Sequence, residues 1–234
     1  MKLQFLGDSR DSFKWDLLHH MVTQAEPSFD RLLFVPMLTA DDPELPHGTT
    51  PAGRFSCRPK ILNFVESLRT QPRGLERVAR LGSINELPQF KVEIFQPSRE
   101  LGFGWLRVQY WREFVSLPLA DALIFLDPDN GFESAKTAGE QHVRFGEIEL
   151  LLQSVPDSSA ICVFQYRPQG QPWERVFARI ETGLPAGAVV HSIHDGQLGF
   201  VFLSCGATGY RVESALAAYA AGHCSLRRRS WRAV

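Results

Sequence analysis

Three short, almost uninterrupted apolar runs constrain this chain most: 31–38 (RLLFVPML), 122–126 (ALIFL) and 160–166 (AICVFQY). A strand with one wet face alternates apolar and polar residues, whereas a strand covered on both faces is apolar throughout. All three runs are of the second kind, so the chain must supply helices for two faces of a sheet. The segments between them do so. Asp8 opens a helix in which Phe13, Leu17, Leu18, Met21 and Val22 recur at helical spacing and which Pro27 ends. Pro59 opens another, with Ile61, Leu62, Val65 and Leu68 as its apolar face, followed by a more polar helical stretch over 74–81. Helices are expected over 105–115, with Leu106, Tyr110 and Phe114 on one face, and over 145–152, 173–180 and 212–221. Residues 90–95 (FKVEIF) read as a strand, and the apolar runs 188–193 and 198–203 flank Asp195-Gly196, a hairpin signal. Strands alternating with helices predict an α/β fold: a mainly parallel sheet with a C-terminal antiparallel hairpin, as one domain over 1–234.

The hydrophobic content of 44% is enough for a large core. Cys57, Cys162, Cys205 and Cys224 have neither zinc-ligand nor disulfide-framework spacing. No apolar run approaches the roughly 20 residues that span a bilayer, and Lys2 and Asp8 interrupt the start too early for a secretory signal. The expectation is a cytoplasmic protein with no membrane partner. The formal net charge of -1 hides a separation. Residues 51–80 carry Arg54, Arg58, Lys60, Arg69, Arg73, Arg77 and Arg80 against only Glu66 and Glu76, and Arg227, Arg228, Arg229 and Arg232 surround Trp231 near the end. Such clusters suit RNA or DNA phosphates, with Arg58, Arg69, Arg167 and Arg227 to Arg229 as candidates; a solvated face and a disordered tail are the plainer reading.

The densest polar turn follows the second apolar run: Asp127-Pro128-Asp129-Asn130-Gly131-Phe132-Glu133. In open α/β sheets, ligands bind beyond the carboxyl ends of the strands. The same residue types also make ordinary turns. Asp127, Asp129 and Glu133 have the chemistry to hold Mg2+ or Mn2+ for a nuclease or phosphodiesterase. His142 and Arg144 follow where a substrate loop would lie.

This turn resembles the Asp-Pro-Pro-Tyr motif of adenine-N6 and related amino-methyltransferases. Asp127 and Pro128 match, Asp129 and Asn130 replace the second proline and the aromatic residue, and Phe132 is near enough to offer a stacking face. Gly7-Asp8-Ser9-Arg10-Asp11-Ser12-Phe13-Lys14-Trp15 resembles the N-terminal motif of bacterial 23S rRNA adenine-N6 methyltransferases, and also three-Cys-motif partner proteins, with Trp15 where the rRNA enzymes have His. The resemblance implies a Rossmann-like three-layer sandwich, S-adenosylmethionine as cofactor, held by Gly7, Asp11, Lys14, Trp15 and Thr39, and an amine positioned by Asp127, Pro128, Asp129 and Asn130. The turn after the first strand, Val35 to Asp42, lacks the glycine such enzymes carry there, so side chains are expected to crowd a nucleoside. That keeps a third reading open: a methyltransferase fold without the activity that binds nucleic acid or a protein.

Overall fold

A computed structural model of the chain describes residues 1–24, 29–44, 55–70, 74–134 and 139–233. Pro27, Arg54, Arg73 and most of the proline- and glycine-rich stretch after Glu44 lie outside the described residues. The strands are β1 (Arg31–Val35), β2 (Lys91–Ile94), β3 (Ala122–Leu126), β4 (Gly131–Phe132), β5 (His142–Val143), β6 (Ala160–Tyr166), β7 (Val189–His194), β8 (Leu198–Ser204) and β9 (Arg227–Arg232). The α-helices are α1 (Ser9–Gln24), α2 (Pro59–Thr70), α3 (Gly104–Val115), α4 (Phe145–Ser154), α5 (Trp173–Gly183) and α6 (Thr208–Ala221).

A seven-stranded sheet runs β2-β1-β3-β6-β8-β7-β9. Its first four strands are mutually parallel, and β8, β7 and β9 join antiparallel. The two-faced apolar runs have the expected consequence. Leu32, Phe34, Leu123 and Phe125 point into a core layer shared with α1, α2 and α6. Their neighbours Leu33, Val35, Ile124 and Leu126 point into the layer under α3, α4 and α5. Alternation along each strand thus serves two helix layers.

Several expectations are corrected. The helical stretch expected over 74–81 is a 3-10 helix, Leu75–Ser83, with Gly74 before its first residue. The strand expected over 31–38 stops at Val35, before Pro36, which has no N–H for the ladder. On α3, Leu106 is exposed, and the buried position beside Tyr110 and Phe114 goes to Arg107. Arg107 is paid for by a fork onto Glu147 of α4, with Nη2 at 2.8 Å from Oε2. The basic end is no tail: Arg227 to Arg232 form edge strand β9, with Trp231 and Arg229 packed on Phe177 of α5 and Ser230 bonded to His191. Arginines on an exposed edge also discourage another chain from pairing there.

Candidate functional site

The chain passes from β1 to one side of the sheet (β2) and from β3 to the other (β6), so the strand order reverses between β1 and β3. Such a switch point leaves a crevice beyond the carboxyl ends of the two strands. Val35 and Leu126 are its last paired residues, and Asp127 N–H extends the ladder by donating to the Val35 carbonyl at 3.0 Å. Asp127 is thereby pinned with its side chain under α1.

There it meets the N-terminal motif. Lys14 Nζ lies 2.8 Å from Asp127 Oδ2 and 2.8 Å from Asp11 Oδ1, and all three residues are buried. Burial opposes the ammonium charge, but the two carboxylates outweigh it and hold Lys14 above the ordinary lysine range. The second Asp11 oxygen accepts the Gly7 N–H at 2.6 Å. Gly7 itself has φ +85°, and a Cβ there would lie 2.5 Å from the Arg69 backbone nitrogen, so glycine permits α1 to start against the end of α2. Asp8 caps α1 by accepting the Arg10 N–H at 2.8 Å. Burial, then the neighbouring Asp11 charge, pushes the Asp8 carboxyl up to about 6.

Residues 1–6 roof the crevice. The Met1 amino nitrogen donates to the carbonyls of Met37 (2.6 Å), Asp127 (3.0 Å) and Pro36 (3.1 Å), and Thr39 N–H returns a bond to the Met1 carbonyl. Gln4 bonds across to Asp41 and Asp42, and Thr39 Oγ1 donates to Asp129. Beneath this roof, beside Lys14, Asp127, Pro128 and Asp129, the free volume is only about 40 Å3. Larger cavities flank it. One of about 390 Å3 lies between the ends of β1 and β2, lined by Leu38, Thr39, Asp41, Leu75, Pro97 and Glu100. Another of about 570 Å3 lies by the β7–β8 turn, lined by Asp8, Arg10, Phe13, Phe55 and Arg167 among others.

The missing glycine has a structural answer. Met37 takes φ +46° without being glycine, and its side chain is fully buried in the layer under α3. This turn has a left-handed residue, and the Met37 side chain enters the core, while Leu38, Thr39 and Asp41 line the cavity beside it.

The structure brings together Gly7, Asp11, Lys14, Thr39, Asp127, Pro128 and Asp129, and sets other candidates apart. Trp15 is wholly buried, edge-on to Phe34 and Phe125, and is core rather than crevice wall. Phe132 is buried against Phe145 and offers no open stacking face. Asn130 bonds Gln141 at 2.8 Å on the far side of the turn. Glu133 accepts the Phe145 N–H at 2.8 Å at the start of α4, away from the Asp129–Thr39 contact. Among the described residues, no three His, Cys, Asp or Glu side chains are grouped to hold a metal ion. Arg58 is consumed by α1: its Nε is 2.6 Å from Asp16 Oδ1, Nη2 2.7 Å from the Asp16 carbonyl, and Nη1 3.0 Å from His19 Nδ1. Arg69 pairs with Glu66, and Arg167 braces the hairpin through the Gly196 and Gln171 carbonyls. Arg227 pairs in register with His194 at the site end of the sheet, and Arg228 and Arg229 lie further along β9. Gln4 and Arg10 are contributors that the sequence pattern did not single out; nothing in local spacing marks them.

No described helix is long and apolar enough to cross a membrane. No family model matches the chain, and no curated protein matches it. Among solved structures, it is similar to the crystal structure of protein LPL1258 from Legionella pneumophila str. Philadelphia 1, of family DUF519, with 16% identity, a TM-score of 0.46, and coverage of 97% of this chain and 98% of that one.

Proposed function

We propose that this chain is a Rossmann-like, S-adenosylmethionine-dependent amino-methyltransferase acting on nucleic acid, with its site at the β1/β3 switch point. One observation carries the reading. The two segments that resemble methyltransferase motifs, 113 residues apart, meet side chain to side chain at Lys14 and Asp127. The antiparallel β7–β8 hairpin on a parallel sheet and the left-handed turn at Met37 support it.

The cofactor fits in part. The cavity between β1 and β2 offers Asp41 and Glu100 as acceptors for ribose hydroxyls, and Leu38, Leu75 and Pro97 as apolar walls. The methionyl part does not fit beside Asp127 in this arrangement, where residues 1–6 leave about 40 Å3. Asp127 here faces Lys14 rather than an incoming amine. That engagement favours a second reading, a methyltransferase fold that binds nucleic acid without transferring methyl groups.

Calorimetric titration of the full chain with S-adenosylmethionine separates the two. Saturable binding, weakened at least about tenfold by a folded Lys14→Ala variant, is expected for the loss of one charged contact. Absence of binding by the wild-type chain would sink the methyltransferase reading and leave the second.

A further inference from the structure

A cavity of about 460 Å3 opens on the far side of the Asp127 turn, between that turn and α5. Its lining includes Asn130, Gln141, His142, Tyr166, Gln171 and Arg179. Two of these are anomalous. Arg179 Nε is buried with no hydrogen-bond partner, and among the described residues no carboxylate lies within ion-pair distance of this guanidinium. His142 Nδ1, in the same lining, is also buried and unpartnered. Elsewhere, half-buried or buried arginines are met by carboxylates and carbonyls, as at Arg58, Arg107 and Arg167. Arg179 is half-buried, and a guanidinium whose inner nitrogen is cut off from both water and an internal acceptor is suited to take an anion from outside.

The surroundings fit a phosphate. The guanidinium offers a fork of donors, and the Gln171 amide and the second N–H of the Asn130 amide, whose first goes to Gln141, add neutral donor capacity at the same wall. Burial lowers the pKa of Arg179, and burial followed by the Arg179 charge lowers that of His142. Glu133 and Asp129 act on His142 from the turn but are bonded to Phe145 N–H and Thr39.

We propose that the cavity between α5 and the paired strands β4 and β5 is a phosphate-ester site, with Arg179 as its principal anchor and Asn130 and His142 beside it. This goes beyond methyl transfer and stands whether or not S-adenosylmethionine binds at the switch point.

The test pairs stability with binding. Wild-type protein and Arg179→Met are compared by thermal unfolding and calorimetry with inorganic phosphate, a nucleoside 5′-monophosphate and a short single-stranded RNA. The wild type is expected to gain Tm with at least one of these and to bind it saturably, by mass action on the folded state. Arg179→Met should lose that binding at least about tenfold while its own Tm, without ligand, stays equal or rises. His142→Ala should weaken binding less. RNA binding with weak monophosphate binding would assign the ester to a strand, and the converse to a free nucleotide. A wild type indifferent to all three probes would overturn the site. So would an Arg179→Met variant that binds as before, or one that loses Tm, because that loss would mean the guanidinium already has an internal partner.

Discussion

Lys14 Nζ sits 2.8 Å from Asp127 Oδ2, joining the first helix to the strand end at the switch point. With Asp11 on its other side, the ammonium is shared by two buried carboxylates. Lys14→Met would leave Asp11 without this counter-charge and Asp127 with only the Met1 ammonium, and is expected to cost about 3–5 kcal/mol in denaturant unfolding. Adding Asp127→Asn should recover part of that loss. If the double variant is no more stable than Lys14→Met alone, the pair does not act as a unit.

Met37 sets two effects against each other. Its left-handed backbone costs about 1–2 kcal/mol for a residue with a Cβ, while deleting a buried methionine side chain costs about 2–5 kcal/mol. Met37→Gly relieves the first and incurs the second, for a net loss of about 1–3 kcal/mol. Met37→Ala keeps the strain and loses most of the side chain, so it should be the less stable of the two. The reverse order in urea melts would contradict the conformation assigned to this turn.

The sequence announces the strands whose signal is local. Runs 122–126 and 160–166 are apolar on both faces because helices cover both, and that needs no partner to be read. Strand β9 was hidden, because RRRSWR owes its extended shape to pairing with β7 rather than to its own apolar content. Trp15 shows how a helical stripe misleads. Asp11, Lys14, Trp15 and Leu18 share a face by spacing, but the border between crevice and core falls between Lys14 and Trp15, and only the position of Phe34 and Phe125 decides it. Arg58 looked free for phosphates since its acceptor, Asp16, lies 42 residues away. Arg179 carries no local mark, because an arginine on a helix usually faces water.

Asp8 gives the site a pH signature. Its carboxyl titrates near 3.8 in an unstructured chain and near 6 in the fold. Between those values the folded state holds more proton than the unfolded one, so this contribution is fully present below about pH 4 and is lost as pH rises through 6. Asp8→Asn retains a capping side chain and removes the titration. The stability difference, wild type minus Asp8→Asn, should fall by about 2–3 kcal/mol between pH 4 and pH 7. Parallel stability curves for the two proteins would show that Asp8 does not titrate in this range.

Arg58 separates a structural from a ligand-binding arginine. Asp16 is 1% exposed and also accepts the Tyr219 hydroxyl at 2.9 Å, so it relies on Arg58 for its counter-charge. Arg58→Gln is expected to destabilise the fold by about 2–4 kcal/mol and to leave phosphate binding unchanged, the opposite of Arg179→Met. Equal loss of RNA affinity from both variants at a temperature where both are folded would restore Arg58 as a phosphate contact.

The turn after β3 depends on a glycine. Gly131 has φ +89°, and a Cβ there would fall 2.3 Å from Gln165 Oε1. That oxygen accepts the Phe132 N–H at 2.9 Å, while the Gln165 amide donates to the Asn130 carbonyl at 3.1 Å. The Gln165 side chain thus splints the turn that carries Asp127 to Asn130, and glycine is what lets it approach. Gly131→Ala combines backbone strain with displacement of this splint and should cost about 2–4 kcal/mol. In a Gln165→Ala background the clash is gone and only the strain remains, so the same substitution should cost about 1–2 kcal/mol. A full double-mutant cycle in denaturant measures the difference; strictly additive costs would mean that Gln165 does not brace the turn.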